Sequence, residues 1–446
     1  MRLSLPSSGL VRLFLCLGMT AFGSLHAAPP AEWPFTAPQE FEPPRVQAAN
    51  RVRNPIDAFV LQGLESRKLS LAPEVSKRIL VRRLYYDLIG LPPTPEAVEA
   101  FVRDAAPQSY ANLVDRLLKD PRYGERWARF WLDLARYADT AGYEGDPDLP
   151  HAWRYRDYVI DSLNRDKPYD QFIKEQIAGD EFHEIMGAGE LPQASAEQMV
   201  ALTFLRLAPF TEPRGDETRH EMLSEMTSTV SSVFLGLTVG CAKCHDHKYD
   251  QIPTKDFYRM KAFFSTVQLM PPERGDGYQI GGPLPAEFYR RGEADWAEKQ
   301  RQAYRKINTD LDALKADLEK RVDDSTKAGK DFKLVRWIED ANNAHIGQDE
   351  RARYDRLKHK ASFVGQHLKR LRPMAMSLRH SFGPPYEASV PVSRVMIRGQ
   401  YDNPGEIVKA GFLSCVTGSQ KPAEIRLDPF KRWPTRSRRM TLAQWI

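Results

Sequence analysis

The sequence predicts a mostly α-helical protein of several domains, with a helical hairpin insertion and a short β element near its C-terminus. Apolar residues recur at intervals of three and four through most of the chain, which places them on one face of a helix. The 446 residues exceed what one hydrophobic core usually serves, at about 150 residues per domain. Hydrophobic residues make up 42% and charged residues 28%, which is typical of a globular protein and not of a polytopic membrane protein or a disordered chain.

The charge balance argues against a nucleic-acid partner. Lys and Arg total 64 against 59 for Asp and Glu, a net charge of +5. Proteins that bind nucleic acids concentrate basic residues far more strongly than this. The chain also lacks a Walker loop, a dinucleotide fingerprint and the G-x-S-x-G and H-E-x-x-H motifs, so whether it is an enzyme stays open.

Residues 1–27 have the pattern of a secretory signal peptide. Arg2 and Arg12 precede an apolar run from Leu13 to Phe22, and small residues around Ala27 supply a cleavage site. The alternative is a membrane anchor, but the run has about half of the roughly 20 residues that a spanning helix needs. We therefore expect a periplasmic or secreted protein with no transmembrane span after processing. Residues 28–52 hold six prolines and are predicted to be an extended linker.

Residues 53–185 are predicted to form a helical domain. Ile56, Phe59 and Val60 share one helical face, and the sequence Gly90-Leu91-Pro92-Pro93 ends a later helix. A further helix is expected from about Val159 to Ile177.

Residues 196–275 form the next predicted segment. The spacing of Met226, Val230 and Val233 fits a helix that ends at glycines close to Gly236, immediately before the sequence CAKCHDHKYD. A second helix is expected to begin at about Thr254, after Pro253.

Residues 293–372 are predicted to form an antiparallel helical hairpin. Apolar residues in its two halves follow heptad-like spacing, and each run is too short for a long coiled coil by itself. Residues 377–446 contain the alternating sequence VPVSRVMIRGQYDNPGEIV, which predicts a short β element that turns at Asn403-Pro404-Gly405.

The sequence Cys241-Ala242-Lys243-Cys244-His245 is a C-x-x-C-H motif, the signature of covalent attachment of one c-type haem. Two thiols three residues apart can bond to the two vinyl groups of the porphyrin, and the histidine that follows can ligate the iron. Two alternatives remain, a Cys241–Cys244 disulfide and a zinc site that includes His245 and His247. Export favours haem, because c-type haem is attached outside the cytoplasm.

Several motifs in order carry a family resemblance. The segments NPIDAFVLQGLESRKL, LIGLPPTPEAVEAF, DPRYGERWARFWLDLARYADTAGYE and FLGLTVGCAKCHDHKYDQIPTKDFYRMKAFF cover much of residues 54–264. This part of the chain resembles the cytochrome-c-associated exported protein families of unknown function first described from planctomycetes. The later segments RVMIRGQYDNPGEIV and RRMTLAQWI resemble the start of the family's C-terminal domain. The resemblance implies that most of that domain is missing here and that the chain ends in its truncated start.

Resemblance to other c-type cytochromes implies that His245 is the proximal iron ligand. The distal position is then open or is taken by a second residue. Met270 is the favoured candidate because a loop at Pro271-Pro272 can fold over the haem, with Met222, Met260 and His220 as alternatives.

The sequence therefore predicts an exported c-type haem protein that transfers single electrons in respiration or catabolism, with a redox partner protein. The alternative is a secreted binding or scaffolding protein for a polysaccharide or an enzyme, in which the haem is structural or sensory. Nothing in the sequence supports a polysaccharide partner directly.

Overall fold

The computed structural model describes residues 39–142, 146, 148–149, 151–182, 193–207, 215–268, 278–279, 293–328, 332–340, 343–370, 374–380, 390–425 and 437–446. The proposed signal peptide and the first part of the proline-rich linker lie outside these residues. The structure is mostly helical, with a β-hairpin of one four-residue and one five-residue strand near the C-terminus. This confirms the predicted fold class. No helix within the described ranges combines the length and the apolar character needed to cross a membrane.

The described residues form sixteen α-helices. They are α1 (Pro55–Ser66), α2 (Lys77–Ile89), α3 (Pro95–Arg103), α4 (Ser109–Leu118), α5 (Arg122–Leu134), α6 (Ala152–Asn164), α7 (Tyr169–Ala178), α8 (Gln193–Ala201), α9 (Asp216–Val230), α10 (Thr254–Lys261), α11 (Glu293–Glu319), α12 (Asp324–Lys327), α13 (Leu334–Glu339), α14 (Gln348–Arg370), α15 (Ser414–Thr417) and α16 (Arg438–Trp445).

Local sequence signals set several helix ends. Asn54 caps α1 through a capping box with Asp57, and Thr94 caps α3, in which Pro95 occupies the first turn. Helix α2 ends at Gly90, whose φ of 71° few other residues adopt readily.

The single helix expected from Val159 to Ile177 is wrong. The chain forms α6 and α7 instead, separated by a turn in which Asp166 has a φ of 51°. Pro168 lacks a backbone N–H and disfavours helical geometry at the residue before it, so the helix breaks here. The apolar period nevertheless continues across the break.

Helices α11 and α14 run antiparallel. Near one end, a Cβ on Gly365 would lie 3.2 Å from the ring of Tyr304, and near the other, Arg321 forms an ion pair of 2.8 Å with Glu350. Leucines from α11 pack with Ile338 of α13 in a small core of their own.

The strands pair as three short antiparallel ladders. They are β1 (Val267–Gln268) with β4 (Arg379–His380), β2 (Tyr278–Gln279) with β3 (Met374–Ala375), and β5 (Ser393–Met396) with β6 (Pro404–Val408). The β5–β6 turn occupies residues 397–403, closed by a hydrogen bond of 2.9 Å from the Ile397 amide to the Asn403 carbonyl. The turn thus lies just before its predicted position, and Pro404 begins β6 instead of lying in the turn.

The largest hydrophobic core joins α5–α10 with α16 and the end of β6. Within it, five consecutive residues of α10, Asp256–Met260, are buried. Arg259 forms a buried ion pair of 2.7 Å with Asp256. The other Asp256 oxygen accepts hydrogen bonds from the amide and hydroxyl of Ser414, and Arg259 donates to the carbonyl of Lys421. This charged pair therefore attaches the segment after β6 to α10.

We expect Asp256→Ala to lower the free energy of unfolding by roughly 3–5 kcal/mol, because Arg259 would stay buried without its counter-charge. Denaturant titration followed by circular dichroism measures this loss. The control is Glu406→Ala, which removes the partner of Lys255 on the same helix. That pair is solvent-exposed, with side chains 36% and 56% accessible, so its loss should cost under about 1 kcal/mol. Equal losses in the two variants would contradict the role given to the buried pair.

Candidate functional site

The C-x-x-C-H motif lies on a tight turn at the protein surface. A π-helical turn, Ser231–Leu235, continues α9 and ends at Gly236 with a φ of 66°. A 3₁₀-helix, Val239–Lys243, follows, in which Val239 and Ala242 are buried. Cys241 and Cys244 are both exposed and carry free thiols. The apolar residues thus anchor the turn to the core, while both thiols stay accessible to a porphyrin.

His245 is exposed and has a defined orientation. Its Nδ1 lies 2.7 Å from the carbonyl oxygen of Asp246. Because a carbonyl only accepts hydrogen bonds, Nδ1 must carry the proton, and Nε2 of the neutral ring keeps its lone pair. Metal-binding histidines typically donate one ring N–H to a carbonyl or carboxylate in this way. His245 is therefore arranged to offer Nε2 to a metal.

His247 has a different role from His245. Its Nδ1 accepts hydrogen bonds from the backbone amides of Tyr249 and Asp250, at 3.2 Å and 2.8 Å. Its Nε2 lies 2.9 Å from the Thr238 hydroxyl, and its side chain is only 6% accessible. Both ring nitrogens are thus used to hold the loop after the motif, which closes with a hydrogen bond from the His247 amide to the carbonyl of Ile252.

Helices α9 and α10 hold the motif from two sides. Lys243 forms an ion pair of 2.6 Å with Glu221 of α9. The Tyr258 hydroxyl of α10 lies 2.9 Å from the carbonyl of Lys243, and Asp246 accepts a hydrogen bond from the amide of Thr254, the first residue of that helix. These contacts therefore fix the backbone of the motif.

The β5–β6 turn packs directly against the second thiol. A Cβ placed on Gly399 would lie 2.6 Å from Sγ of Cys244, and Gly399 has a φ of 74°. Only glycine combines this backbone conformation with so close an approach. The sequence gives no direct signal for this contact, because the two residues are far apart in the chain.

The other candidate ligands have different surroundings. Met270, the favoured distal ligand, lies outside the described residues. Met260 is fully buried in the core, and Nδ1 of His220 is bound to Lys261 at 2.7 Å. Cys415, the third cysteine in the described ranges, is half-buried, and burial raises its pKa to about 11, which disfavours the reactive thiolate.

The described residues contain no group of three or more His, Cys, Asp or Glu side chains that could hold a metal ion. A zinc site built from several protein ligands is therefore not gathered in this part of the chain. Axial coordination of a haem iron needs only one or two side chains. The exposed thiols and the free Nε2 of His245 fit that requirement.

The contact at Gly399 can be tested with a matched pair of glycine variants. Gly399→Ala and Gly418→Ala both place alanine at a positive φ, of 74° and 68°, and each should lose roughly 1–2 kcal/mol of stability for that reason. Only Gly399→Ala also meets Cys244, since nothing lies within 4 Å of a Cβ at Gly418. We expect Gly399→Ala to lose about 1–3 kcal/mol more in denaturant unfolding. Equal losses would show that the turn does not press on Cys244.

Comparison with known proteins gives a match to a protein family. Residues 55–269 match the family model PSCyt2, described as a protein of unknown function (DUF1549). The match extends from α1 to the residue after β1 and includes the C-x-x-C-H turn. No curated protein and no solved structure matches the chain significantly. Residues 55–269 are thus similar to a planctomycete-type family of unknown function, in agreement with the resemblance found in the sequence.

Proposed function

We propose that the protein is an exported c-type haem protein that transfers single electrons to or from a redox partner. Cys241 and Cys244 would each form a thioether to one haem, and Nε2 of His245 would be the proximal iron ligand. The observation that carries this proposal is the orientation of His245, whose Nδ1 is engaged by the carbonyl of Asp246. Its Nε2 is left for the iron on the same surface as two free thiols.

The position of the motif also suits electron transfer. Cys241, Cys244 and His245 are all exposed, so a cofactor held by them would have an edge open to a partner protein. The contacts from Glu221 and Tyr258 limit movement of the motif. Little structural rearrangement would therefore accompany a change in the charge of a bound redox group. Haem supplies the redox chemistry when it is bound, while the chain supplies attachment, orientation and exposure.

Met270 remains our proposed distal ligand. Two alternatives are less suitable, because Met260 is fully buried in the core and Nδ1 of His220 is engaged by Lys261. Met222, half-buried on α9, stays an alternative. A methionine ligand would raise the reduction potential and favour electron transfer, whereas an open position would favour binding of small ligands.

A pyridine haemochrome spectrum tests the attachment. The protein would be exported in a host with haem c maturation machinery, and the wild type should give a c-type spectrum that survives acid extraction. The variant Cys241→Ala, Cys244→Ala should lose it, because no thiol remains for a thioether. Cys415→Ala is the control and should keep the haem. A folded wild-type protein without haem would reject the proposal.

The two histidines of the motif should respond in opposite ways to substitution. In the haem-loaded protein, His245→Ala should change the absorption spectrum of the iron, and added imidazole should restore it. His247→Ala should leave the spectrum nearly unchanged but lower the free energy of unfolding by about 1–3 kcal/mol, because the amides of Tyr249 and Asp250 lose their acceptor. If His247→Ala instead changes the spectrum and imidazole reverses the change, the iron ligand is His247 and the assignment to His245 is wrong.

Redox titration separates electron transfer from a structural or sensory haem in a binding or scaffolding protein. An electron carrier should be reduced and reoxidised reversibly by small mediators without loss of an axial ligand. A haem that changes ligation or denatures the protein on reduction would support the alternative.

A further inference from the structure

A cavity of about 310 Å³ lies beside the motif, between α9, the end of α10 and β5. Its lining combines a charged part with an apolar part. Leu223, Val392 and Met396 contribute apolar surface, and the rings of Tyr258 and Tyr401 lie beside them. A cavity of this size and mixed character suits a small organic molecule with one charged group.

The charged part of the cavity is basic. Arg219, Lys261 and Arg394 line it, against one carboxylate, that of Asp216. The Arg219 guanidinium donates to the backbone carbonyls of Ser265 and Val267, at 2.6 Å and 2.7 Å, which fixes its position but does not neutralise its charge. Glu221 lies close to Lys261 but is itself bound by Lys243. The cavity therefore holds more positive than negative charge.

Lys261 is held in place by a buried histidine. Its Nζ lies 2.7 Å from Nδ1 of His220. When the lysine is charged it can only donate, so Nδ1 accepts and Nε2 of His220 carries the proton. This Nε2 is buried, and the backbone of Gly399 lies close enough to the ring to favour its protonated form. Lys261 is thus bound to an imidazole, and no carboxylate forms an ion pair with it among the described residues.

The pKa values of Lys261 and His220 are both lowered, as expected for buried groups where positive charge exceeds negative charge. Burial, followed by the charge of Lys243, lowers the pKa of Lys261 to about 7. Burial, followed by Lys261, lowers the pKa of His220 to about 4. Arg219 adds to the repulsion, while Glu221 opposes it in part. A bound anion would restore the charged form of Lys261.

We propose that this cavity binds the carboxylate group of a small organic molecule, with Lys261 as its ionic partner and the apolar wall against the body of the molecule. The carboxylate can belong to a free organic acid or to a propionate of the haem. Binding of a free acid does not rest on the proposed haem function.

Isothermal titration calorimetry with benzoate and D-galacturonate tests the proposal. Benzyl alcohol and D-galactose are the neutral controls and should not bind. Two proteins are compared, the haem-loaded wild type and the haem-free Cys241→Ala, Cys244→Ala variant. Binding of an acid to both indicates a site for free acids. Binding only to the haem-free protein indicates that a propionate fills the cavity. Binding to neither protein would overturn the proposal, and the haem-free arm gives its answer even if the wild type carries no haem.

The role of Lys261 has its own readout. Because burial lowers the pKa of Lys261 to about 7, binding of a carboxylate at pH 8 should be accompanied by net uptake of protons, up to one per ligand. Comparison of binding enthalpies in buffers of different ionisation enthalpy measures this uptake. Lys261→Met should abolish the uptake and weaken binding about tenfold or more, whereas Lys255→Met, on the exposed side of the same helix, should change neither.

Arg394→Gln serves as a second variant in case Lys261→Met does not fold. Arg394 is exposed and lines the cavity from β5. Its loss should weaken acid binding without changing proton uptake. Acid binding that is unchanged in every cavity variant that folds would overturn the assignment of the site.

Discussion

The buried ion pair between Asp256 and Arg259 is the interaction on which the arrangement of the site depends. Two charges removed from water cost free energy unless hydrogen bonds satisfy their remaining atoms, and here Ser414 and the Lys421 carbonyl do so. The pair fixes α10 against the segment that follows β6. The same eight-residue helix presents Tyr258 to the motif and to β5, and its last residue, Lys261, lines the cavity.

Much of the fold could be predicted because helix formation leaves local signals. The apolar period, the caps at Asn54 and Thr94, and the glycine stop at Gly90 all depend on residues within a few positions of one another. The break between α6 and α7 was missed because the apolar period continues through it. Pro168 carried the opposing signal, and its effect on the backbone outweighs the side-chain pattern.

In the candidate site, too, local features could be predicted from the sequence and contacts between distant residues could not. Cys241, Cys244 and His245 were predicted from spacing, since they lie on one turn. The separate role of His247 could not be predicted, because it depends on hydrogen bonds from amides in a loop whose shape the spacing does not define. The contact of Gly399 with Cys244 joins distant parts of the chain, and only the packing of the β5–β6 turn brings them together. Met270, outside the described residues, stays a prediction.

Tyr258 and the Gly399 backbone each contact the motif and also lie at or near the basic cavity. A change of charge at either place should therefore affect the other. Tyr258 lines the cavity and also bonds to the motif, and burial together with the nearby Cys244 raises its pKa. The Gly399 backbone, which packs on Cys244, also favours protonation of His220. If the motif holds haem iron as proposed, a negative charge bound in the cavity would favour the more positive, oxidised iron. Because linkage is reciprocal, oxidation would strengthen carboxylate binding by the same free energy.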